Sequence, residues 1–147
     1  MKQPILAISL VLMSWLSFAQ ARVSWETLAK VTMYREFNQN LGFEVNTEPP
    51  DFSPSVLALD GQKVIVKGYV IPVDIDLNLY MVSANPFANC FFCGNAGPET
   101  VVELFPGGRF RRFGTDEVVT FEGTLNINKD ASSSTVPYQL FSAREKK

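Results

Sequence analysis

Two apolar, strand-like segments of this chain each contain a glycine, and this pattern constrains the fold more than any other feature. Residues Val64 to Gly68 read Val-Ile-Val-Lys-Gly, and Val119 to Gly123 repeat the pattern as Val-Thr-Phe-Glu-Gly. A glycine inside a strand weakens it unless it permits a bulge or the sharp coiling found at a barrel corner. Two such strands therefore favour a small, strongly curved barrel over a flat sheet.

The rest of the strand pattern agrees with a barrel. Runs of strand-forming residues at 63–71, 79–83, 99–105, 110–113, 118–127 and 137–143 are separated by turns rich in glycine, proline or polar residues. We predict an all-β fold, a small five- to six-stranded OB-like barrel with one short helix that begins at Ser53-Pro54 and ends at Leu59. A β-sandwich is the alternative for strands at this spacing. The tail, residues 144–147, is expected to fray.

The amino terminus has the pattern of a secretory signal. Lys2 supplies a positive charge, residues 5–18 form an uncharged apolar core, and Ala19-Gln20-Ala21 is a small-x-small cleavage motif. The apolar run is shorter than the roughly 20 residues that span a bilayer, and no later segment approaches that length. We expect cleavage after Ala21 and a soluble periplasmic or secreted product, with a retained interfacial anchor as the alternative.

The expected mature chain is large enough for one domain. Removal of residues 1–21 from the 147-residue chain leaves 126. We divide these into an N-terminal extension, residues 22–56, that packs on the barrel, and an OB-like β domain, residues 57–147. Thirteen basic residues are set against fifteen acidic ones, and the leader holds one lysine, so the mature net charge is −3. This mild acidity argues against nucleic acid as a partner, because nucleic acid requires a strongly basic face.

The only two cysteines, Cys90 and Cys93, are separated by two residues in a chain without histidine. Such a pair can close a small disulfide ring, exchange electrons as a dithiol, or supply two thiolates to a metal ion. The redox motif requires a helix directly after the pair, and Gly94, Gly97 and Pro98 interrupt any helix there. The disulfide and the metal site remain as the two main interpretations.

The glycine after the second cysteine favours a metal. Cys-x-x-Cys-Gly is the pattern of a metal knuckle in which Gly94 adopts positive φ. A closed zinc site needs four ligands, so Glu99 and Glu103 are candidate further ligands. Two thiolates alone suit copper(I), a soft ion that accepts low coordination numbers. Zinc or copper is therefore the cofactor that this interpretation predicts.

Aromatic residues surround the cysteines. Phe87, Phe91 and Phe92 lie on the same loop, where they either contact a partner or cap the open end of the barrel. If these residues contact a partner, the chain is an interaction module, and its two cysteines form an inert disulfide.

A second candidate binding surface is basic. Residues 109–113 interleave arginine with phenylalanine, and Arg109 and Arg111 are the candidate contacts for an anionic ligand. Such alternation is more often a solvated outer face with an apolar inner one. No nucleophile or carboxylate pair accompanies a histidine base, and no phosphate-binding glycine loop is present, so the sequence indicates no enzyme.

The cysteine region also resembles a known family. Residues Pro86 to Glu99, with Val66 to Pro72 and Tyr80 to Ser83, are similar to the exported bacterial proteins catalogued as domain of unknown function 3299, in the form typical of Bacteroidota. The resemblance spans about residues 57–143. Other members carry a Gly-Ala-Cys-x-His loop at this place. Cys90 of this chain matches the cysteine of that loop, and Phe92 stands at the position of its histidine. A second thiol, Cys93, follows one residue later. The resemblance implies a periplasmic accessory protein encoded near transport systems and carries no known activity.

We therefore predict a soluble periplasmic accessory or binding protein whose Cys90 and Cys93 hold a soft metal ion. The alternative is a non-enzymatic interaction module with a structural disulfide in the same loop. The expected partner is an unidentified periplasmic or membrane protein, such as a component of a transport system.

Overall fold

The computed structural model describes residues 20–93, 95–130 and 136–147. These residues form ten strands, two short helices and three single turns of 3-10 helix. The strands are β1 (Ala21–Arg22), β2 (Val31–Thr32), β3 (Arg35–Asn38), β4 (Phe43–Asn46), β5 (Asp51–Phe52), β6 (Lys63–Asp74), β7 (Leu79–Ser83), β8 (Val101–Pro106), β9 (Val118–Ile127) and β10 (Tyr138–Glu145). The helices are α1 (Trp25–Leu28) and α2 (Pro54–Leu57), and the 3-10 turns are Phe87–Asn89, Phe91–Cys93 and Pro98–Thr100.

Strands β6 to β10 close into a five-stranded barrel. β6 pairs with β7, β7 with β8, β8 with β10 and β10 with β9, which returns to β6. All of these pairs are antiparallel except β8 with β10, which is parallel. β1 is an additional strand that pairs in parallel with β6. This closed order confirms the predicted all-β, OB-like barrel and excludes the sandwich.

Each of the two strand glycines lies against main-chain atoms of a neighbouring strand. A Cβ at Gly68 would overlap the carbonyl oxygen of Ser83 on β7. A Cβ at Gly123 would lie 2.7 Å from the carbonyl oxygen of Phe141 on β10. The absence of a side chain at both positions therefore permits the close, curved strand contacts that the sequence pattern predicted.

The barrel encloses the core, and aromatic rings close it at one end. Phe110 and Phe113 come from the connection between β8 and β9 and pack edge-to-face against Tyr80 and Phe121, with ring centroids 5.4–5.9 Å apart. The other large side chains of the interior include Val64, Val66, Val82, Val102, Leu104, Leu125 and Leu140.

The N-terminal segment contributes to the same core. Ser24 caps α1 by accepting a hydrogen bond from the Thr27 main-chain N–H at 3.2 Å. The indole of Trp25 donates to the Lys67 carbonyl oxygen on β6 at 2.8 Å. Val23, Leu28, Phe52 and Val56 complete this contribution as buried members of the core cluster.

Three local predictions are wrong. Residues 110–113 do not form a strand, because Phe110 and Phe113 turn inward and their burial takes the place of strand pairing. The described residues form two short helices where one was predicted, and α2 ends at Leu57, two residues before the predicted end at Leu59. The tail is not frayed, because β10 continues to Glu145 and the Lys146 N–H then donates to the Thr120 carbonyl at 2.8 Å.

The predicted signal core, residues 5–18, lies outside the described residues. Ala21, the predicted cleavage position, belongs to β1 and pairs with Val64. Among the described residues, no helix has both the length and the apolar character needed to cross a membrane.

Candidate functional site

The cysteine loop, which we define as residues 84–100, connects β7 to β8. Its base is closed by the Ala84 N–H, which donates to the Thr100 carbonyl oxygen at 2.9 Å. Pro86 precedes the first 3-10 turn, and its fixed φ favours the start of a helical turn. The Cys90 N–H donates to the Phe87 carbonyl oxygen at 3.2 Å and completes that turn. The loop is therefore held by its own main chain.

The second 3-10 turn, Phe91–Cys93, places the Cys93 thiol close enough to Cys90 for the two side chains to interact. The Cys93 N–H donates to the Cys90 carbonyl oxygen at 3.2 Å, and the Cys93 thiol donates to the Phe87 carbonyl oxygen at 3.0 Å. Cys90 is completely buried, whereas Cys93 is exposed, and neither cysteine is in a disulfide. The loop thus presents one thiol to solvent and holds its neighbour beneath the surface.

The environment of Cys93 stabilises the protonated form of its thiol. Loss of hydration raises the pKa of the Cys93 thiol, and the charge and hydrogen bonding of Cys90 raise it further. A catalytic cysteine needs the opposite shift, since the thiolate is the nucleophile. The electrostatics of the loop therefore do not favour thiol-disulfide exchange.

The two candidate carboxylate ligands face other groups. Glu103 lies on the outer face of β8, where its carboxylate accepts a hydrogen bond from the Gln139 amide at 3.3 Å. Glu99 folds back over Gly97. Burial raises the pKa of Tyr138, and the charge of Glu99 raises it further.

Within the described residues, no third His, Cys, Asp or Glu side chain accompanies the two thiols. In the described part of the chain, no three side chains of His, Cys, Asp or Glu are grouped as a metal ion requires. The remaining residues, 1–19, Gly94 and 131–135, contain none of these four types. The two thiols are thus a pair without a neighbouring carboxylate or imidazole, a donor set suited to a soft ion.

The aromatic residues of the loop have different environments. Phe87 is 44% exposed, and its main-chain N–H donates to the Asp116 carboxylate at 2.7 Å. Phe91 is half-buried, with the Arg35 guanidinium 5.2 Å from the centre of its ring. The Phe92 side chain and Gly94 lie outside the described residues. Phe87 therefore presents part of its ring to solvent.

Two residues that hold the loop were not found by sequence reasoning. Arg35 reaches Phe91 from the β3–β4 hairpin and also forms a 2.9 Å ion pair with Glu44. Asp116 reaches Phe87 from the β8–β9 connection. Both contacts join residues far apart in the chain, and no local motif signals them.

The predicted basic residues belong to a different region. Arg109 and Arg111 follow the C-terminal end of β8, whereas the cysteine loop precedes its N-terminal end. The structure therefore divides the predicted site residues into two surfaces: the cysteine loop and a basic region beyond the opposite end of β8.

These features define a small, closed, OB-like β barrel with a two-thiol loop between its first antiparallel hairpin and its third strand. No protein-family model, curated protein or solved structure matches the chain. The resemblance to domain of unknown function 3299 stays a prediction from the sequence of the cysteine loop and of the segments Val66 to Pro72 and Tyr80 to Ser83.

Proposed function

We propose that this chain is an exported binding protein that holds one soft metal ion, preferably copper(I), between the thiolates of Cys90 and Cys93. The observation that supports this proposal most directly is the pairing of a buried thiol with an exposed one, without a carboxylate beside them in the described residues. Copper(I) accepts two thiolates, whereas a closed zinc site requires four ligands. The exposed Cys93 would give the ion its entry.

Proton release provides a signature of this binding. The pKa of the Cys93 thiol is raised, so the thiol is protonated before the ion arrives. A thiol must lose its proton to become a ligand, and affinity then falls about tenfold per pH unit for each proton released. Copper(I) affinity should therefore weaken as the pH falls below about 8.5, the ordinary pKa of a thiol, and the raised pKa of Cys93 extends this dependence to higher pH.

The decisive experiment is an anaerobic titration of the reduced protein with copper(I) in competition with a chromophoric copper(I) chelator. One ion should bind per chain, and Cys93→Ser should abolish binding while thermal unfolding stays close to that of the wild type. Cys93 is the better position for this test because Cys90 is fully buried and its replacement also perturbs packing.

The matched controls are Glu99→Gln and Glu103→Gln, which remove the two candidate carboxylate ligands. Both variants should bind copper(I) like the wild type. The proposal would be overturned if Cys93→Ser bound copper(I) as tightly as the wild type, or if the reduced wild type bound no copper(I). Binding of zinc that is lost in either glutamate variant would replace it with a mixed carboxylate–thiolate site.

Export is the second part of the proposal and rests on the leader pattern. The intact mass of the protein recovered from the periplasmic fraction of its native cells should correspond to a chain that begins at Arg22. Recovery of the full-length chain from the cytoplasm would contradict it.

An interaction module is the second candidate function, with an unidentified periplasmic or membrane protein as its partner. The exposed aromatic side chains favour it, since Phe87 is 44% exposed and Phe37 is 63% exposed. Phe37 lies two residues from Arg35 on β3, and therefore on the same face of the hairpin as the guanidinium that covers Phe91. In this function, a Cys90–Cys93 disulfide would fix the loop for contact with a partner.

The intact mass of the protein recovered from the periplasmic fraction distinguishes the two functions. A metal-free chain lighter by two hydrogens would favour the interaction module, whereas a metal adduct with reduced thiols would favour the copper(I) site. Phe87→Ala should then weaken recovery of the partner, and Phe141→Ala is the matched control, because Phe141 is 40% exposed on β10. Equal effects of the two variants would count against the cysteine loop as the contact surface.

A further inference from the structure

A cleft lies beyond the C-terminal end of β8, apart from the cysteine loop. One wall is the connection after β8, residues 107–113, and the other is the end of β10 with the residues that follow it. Its volume is about 510 Å³, within the roughly 300–1,000 Å³ typical of small-molecule sites. We call it the basic cleft, and the lining residues that matter to its chemistry are Arg109, Phe110, Arg111, Phe113, Arg144 and Lys147.

One of the four cations in the basic cleft is already neutralised. The Arg111 Nη2 and Nε atoms each lie 2.8 Å from the Glu145 carboxylate, and Nη2 also contacts Glu117. The guanidinium carbon lies 4.2 Å from the centre of the Phe113 ring. Arg111 is thus a fixed part of the wall, and its one positive charge is shared between Glu145 and Glu117. Among the described residues that line the cleft, Glu145 is the only one with a carboxylate side chain.

The other three cations are not neutralised by a direct partner. Within the part of the chain that the structure describes, Arg109, Arg144 and Lys147 form no ion pair. Arg144 and Lys147 act on Glu122 and Glu145 only as minor, longer-range charges. The basic cleft therefore carries an excess of positive charge in a protein whose net charge is negative.

The floor of the basic cleft is aromatic and continuous with the core. Phe110 and Phe113 pack edge-to-face with centroids 5.7 Å apart, and both contact Phe121 of the core. Gly107 gives Arg144 room to cross the wall, because a Cβ at this glycine would lie 3.3 Å from the Arg144 Nε atom. Phe113 is buried, whereas Phe110 is partly exposed and supplies the apolar surface at the base. Cations at the rim and this ring together match a ligand with an anionic head and an apolar body.

We propose that the basic cleft binds a small organic anion, a carboxylate or phosphate monoester attached to an apolar group, with Arg109, Arg144 and Lys147 around the anion and Phe110 beneath the apolar body. This site is separate from the cysteine loop and does not depend on metal binding. Charge-assisted hydrogen bonds from arginine suit both head groups.

The test is a titration of the full chain with phenyl phosphate and benzoate, followed by the NMR shifts of main-chain amides. Inorganic phosphate and benzyl alcohol serve as probes for the head group and the apolar body alone. At least one of the two complete probes should bind more tightly than either partial probe and shift the amides of Gly107 and Gly108. The tighter of phenyl phosphate and benzoate identifies the preferred head group.

Single-charge variants locate the site. Arg109→Gln and Arg144→Gln should each weaken binding about three- to fivefold, the range expected for partly exposed charge contacts. Arg112→Gln is the matched control, because it removes the same charge from the same connection but Arg112 does not line the cleft and its side chain is 79% exposed. Arg112→Gln should bind within about twofold of the wild type.

Three results would overturn the proposal. Equal weakening by Arg112→Gln would mean that only the general field of the protein attracts the anion. If benzyl alcohol bound as tightly as the complete probes, the cations would take no part in binding. If inorganic phosphate bound as tightly, the aromatic floor would take no part. Absence of binding by both complete probes at millimolar concentration, with the chain folded by circular dichroism, would exclude the site.

Discussion

The hydroxyl of Tyr138 donates a hydrogen bond to the main-chain carbonyl oxygen of Leu28, 110 residues earlier in the chain. Tyr138 is fully buried at the start of β10, and its ring centroid lies 6.1 Å from that of Phe52. Leu28 is the last residue of α1 and is also fully buried. A buried polar contact and an apolar one thus join the N-terminal segment to the barrel, so we expect the two to unfold together.

Replacement of Tyr138 by phenylalanine tests this connection. Tyr138→Phe removes the hydroxyl and leaves the Leu28 carbonyl without that donor, which should lower the free energy of unfolding by about 1–2 kcal/mol. Urea denaturation followed by circular dichroism measures the change. Tyr34→Phe is the control, because Tyr34 is 39% exposed, and it should stay within about 0.5 kcal/mol of the wild type. Equal effects would contradict the role assigned to the Tyr138 hydroxyl.

The same hydroxyl predicts a loss of stability at high pH. Burial raises the pKa of Tyr138 well above its ordinary value of 10.0, and the charge of Glu99 raises it further. Above pH 10, the folded state therefore keeps the Tyr138 proton that the unfolded chain releases. The contribution of Tyr138 to the free energy of unfolding is complete below pH 10 and declines as the pH rises above it. The free energy of unfolding should fall more steeply above pH 10 in the wild type than in Tyr138→Phe. Parallel curves would show that Tyr138 does not titrate differently in the two states.

Acid stability should depend on Arg111. Hydrogen bonds from Arg111 lower the pKa of Glu117 and that of Glu145 below the ordinary value of 4.5. Their contribution to stability is present above pH 4.5 and is lost as the pH falls through their folded pKa values. Arg111→Gln should therefore shift the midpoint of acid unfolding to higher pH, as measured by circular dichroism. Arg112→Gln should leave that midpoint unchanged, and an equal shift in both variants would point to net charge alone.

The barrel was predictable because its signals are local. The glycines at 68 and 123 and the turns between strands mark curvature and chain reversal in the sequence itself. The connection after β8 was not predictable in the same way. Phe110 and Phe113 turn inward because Tyr80 and Phe121 form a surface for them, and that surface exists only once the barrel has closed.

In the candidate site, too, the features with a local sequence signal were predictable and the contacts between distant segments were not. The spacing of Cys90 and Cys93 predicted that the two thiols meet, and a single 3-10 turn accomplishes this. Glu103 is near in sequence, but strand alternation places it on the outer face of β8, where it contacts Gln139. Arg35 joins the cysteine loop by a contact between distant segments, which a single sequence does not encode as a local pattern.

The two strand glycines should be sensitive to the addition of one methyl group. Gly68→Ala places a Cβ against the Ser83 carbonyl oxygen, and Gly123→Ala places one 2.7 Å from the Phe141 carbonyl oxygen. Because both neighbours are main chain, each variant should lose about 2 kcal/mol or more of unfolding free energy. Urea denaturation measures this loss.

Gly108→Ala is the matched control for the strand glycines. A Cβ at Gly108 meets no atom within 4 Å, so this variant should be neutral or more stable by up to about 1 kcal/mol. Tolerance of alanine at both strand positions would contradict the close strand contacts of the barrel.

Alkylation should distinguish the two thiols. Iodoacetamide should modify the exposed Cys93 in the reduced, folded chain and leave the buried Cys90 protected. Cys93 should react more slowly than the same residue in the urea-unfolded chain, because its raised pKa lowers the fraction of thiolate, the reactive form. Peptide mass spectrometry after timed alkylation measures both rates. Faster labelling of Cys93 in the folded chain would reveal an activated thiolate and reopen thiol-disulfide exchange as its chemistry, whereas early labelling of Cys90 would show that the loop opens.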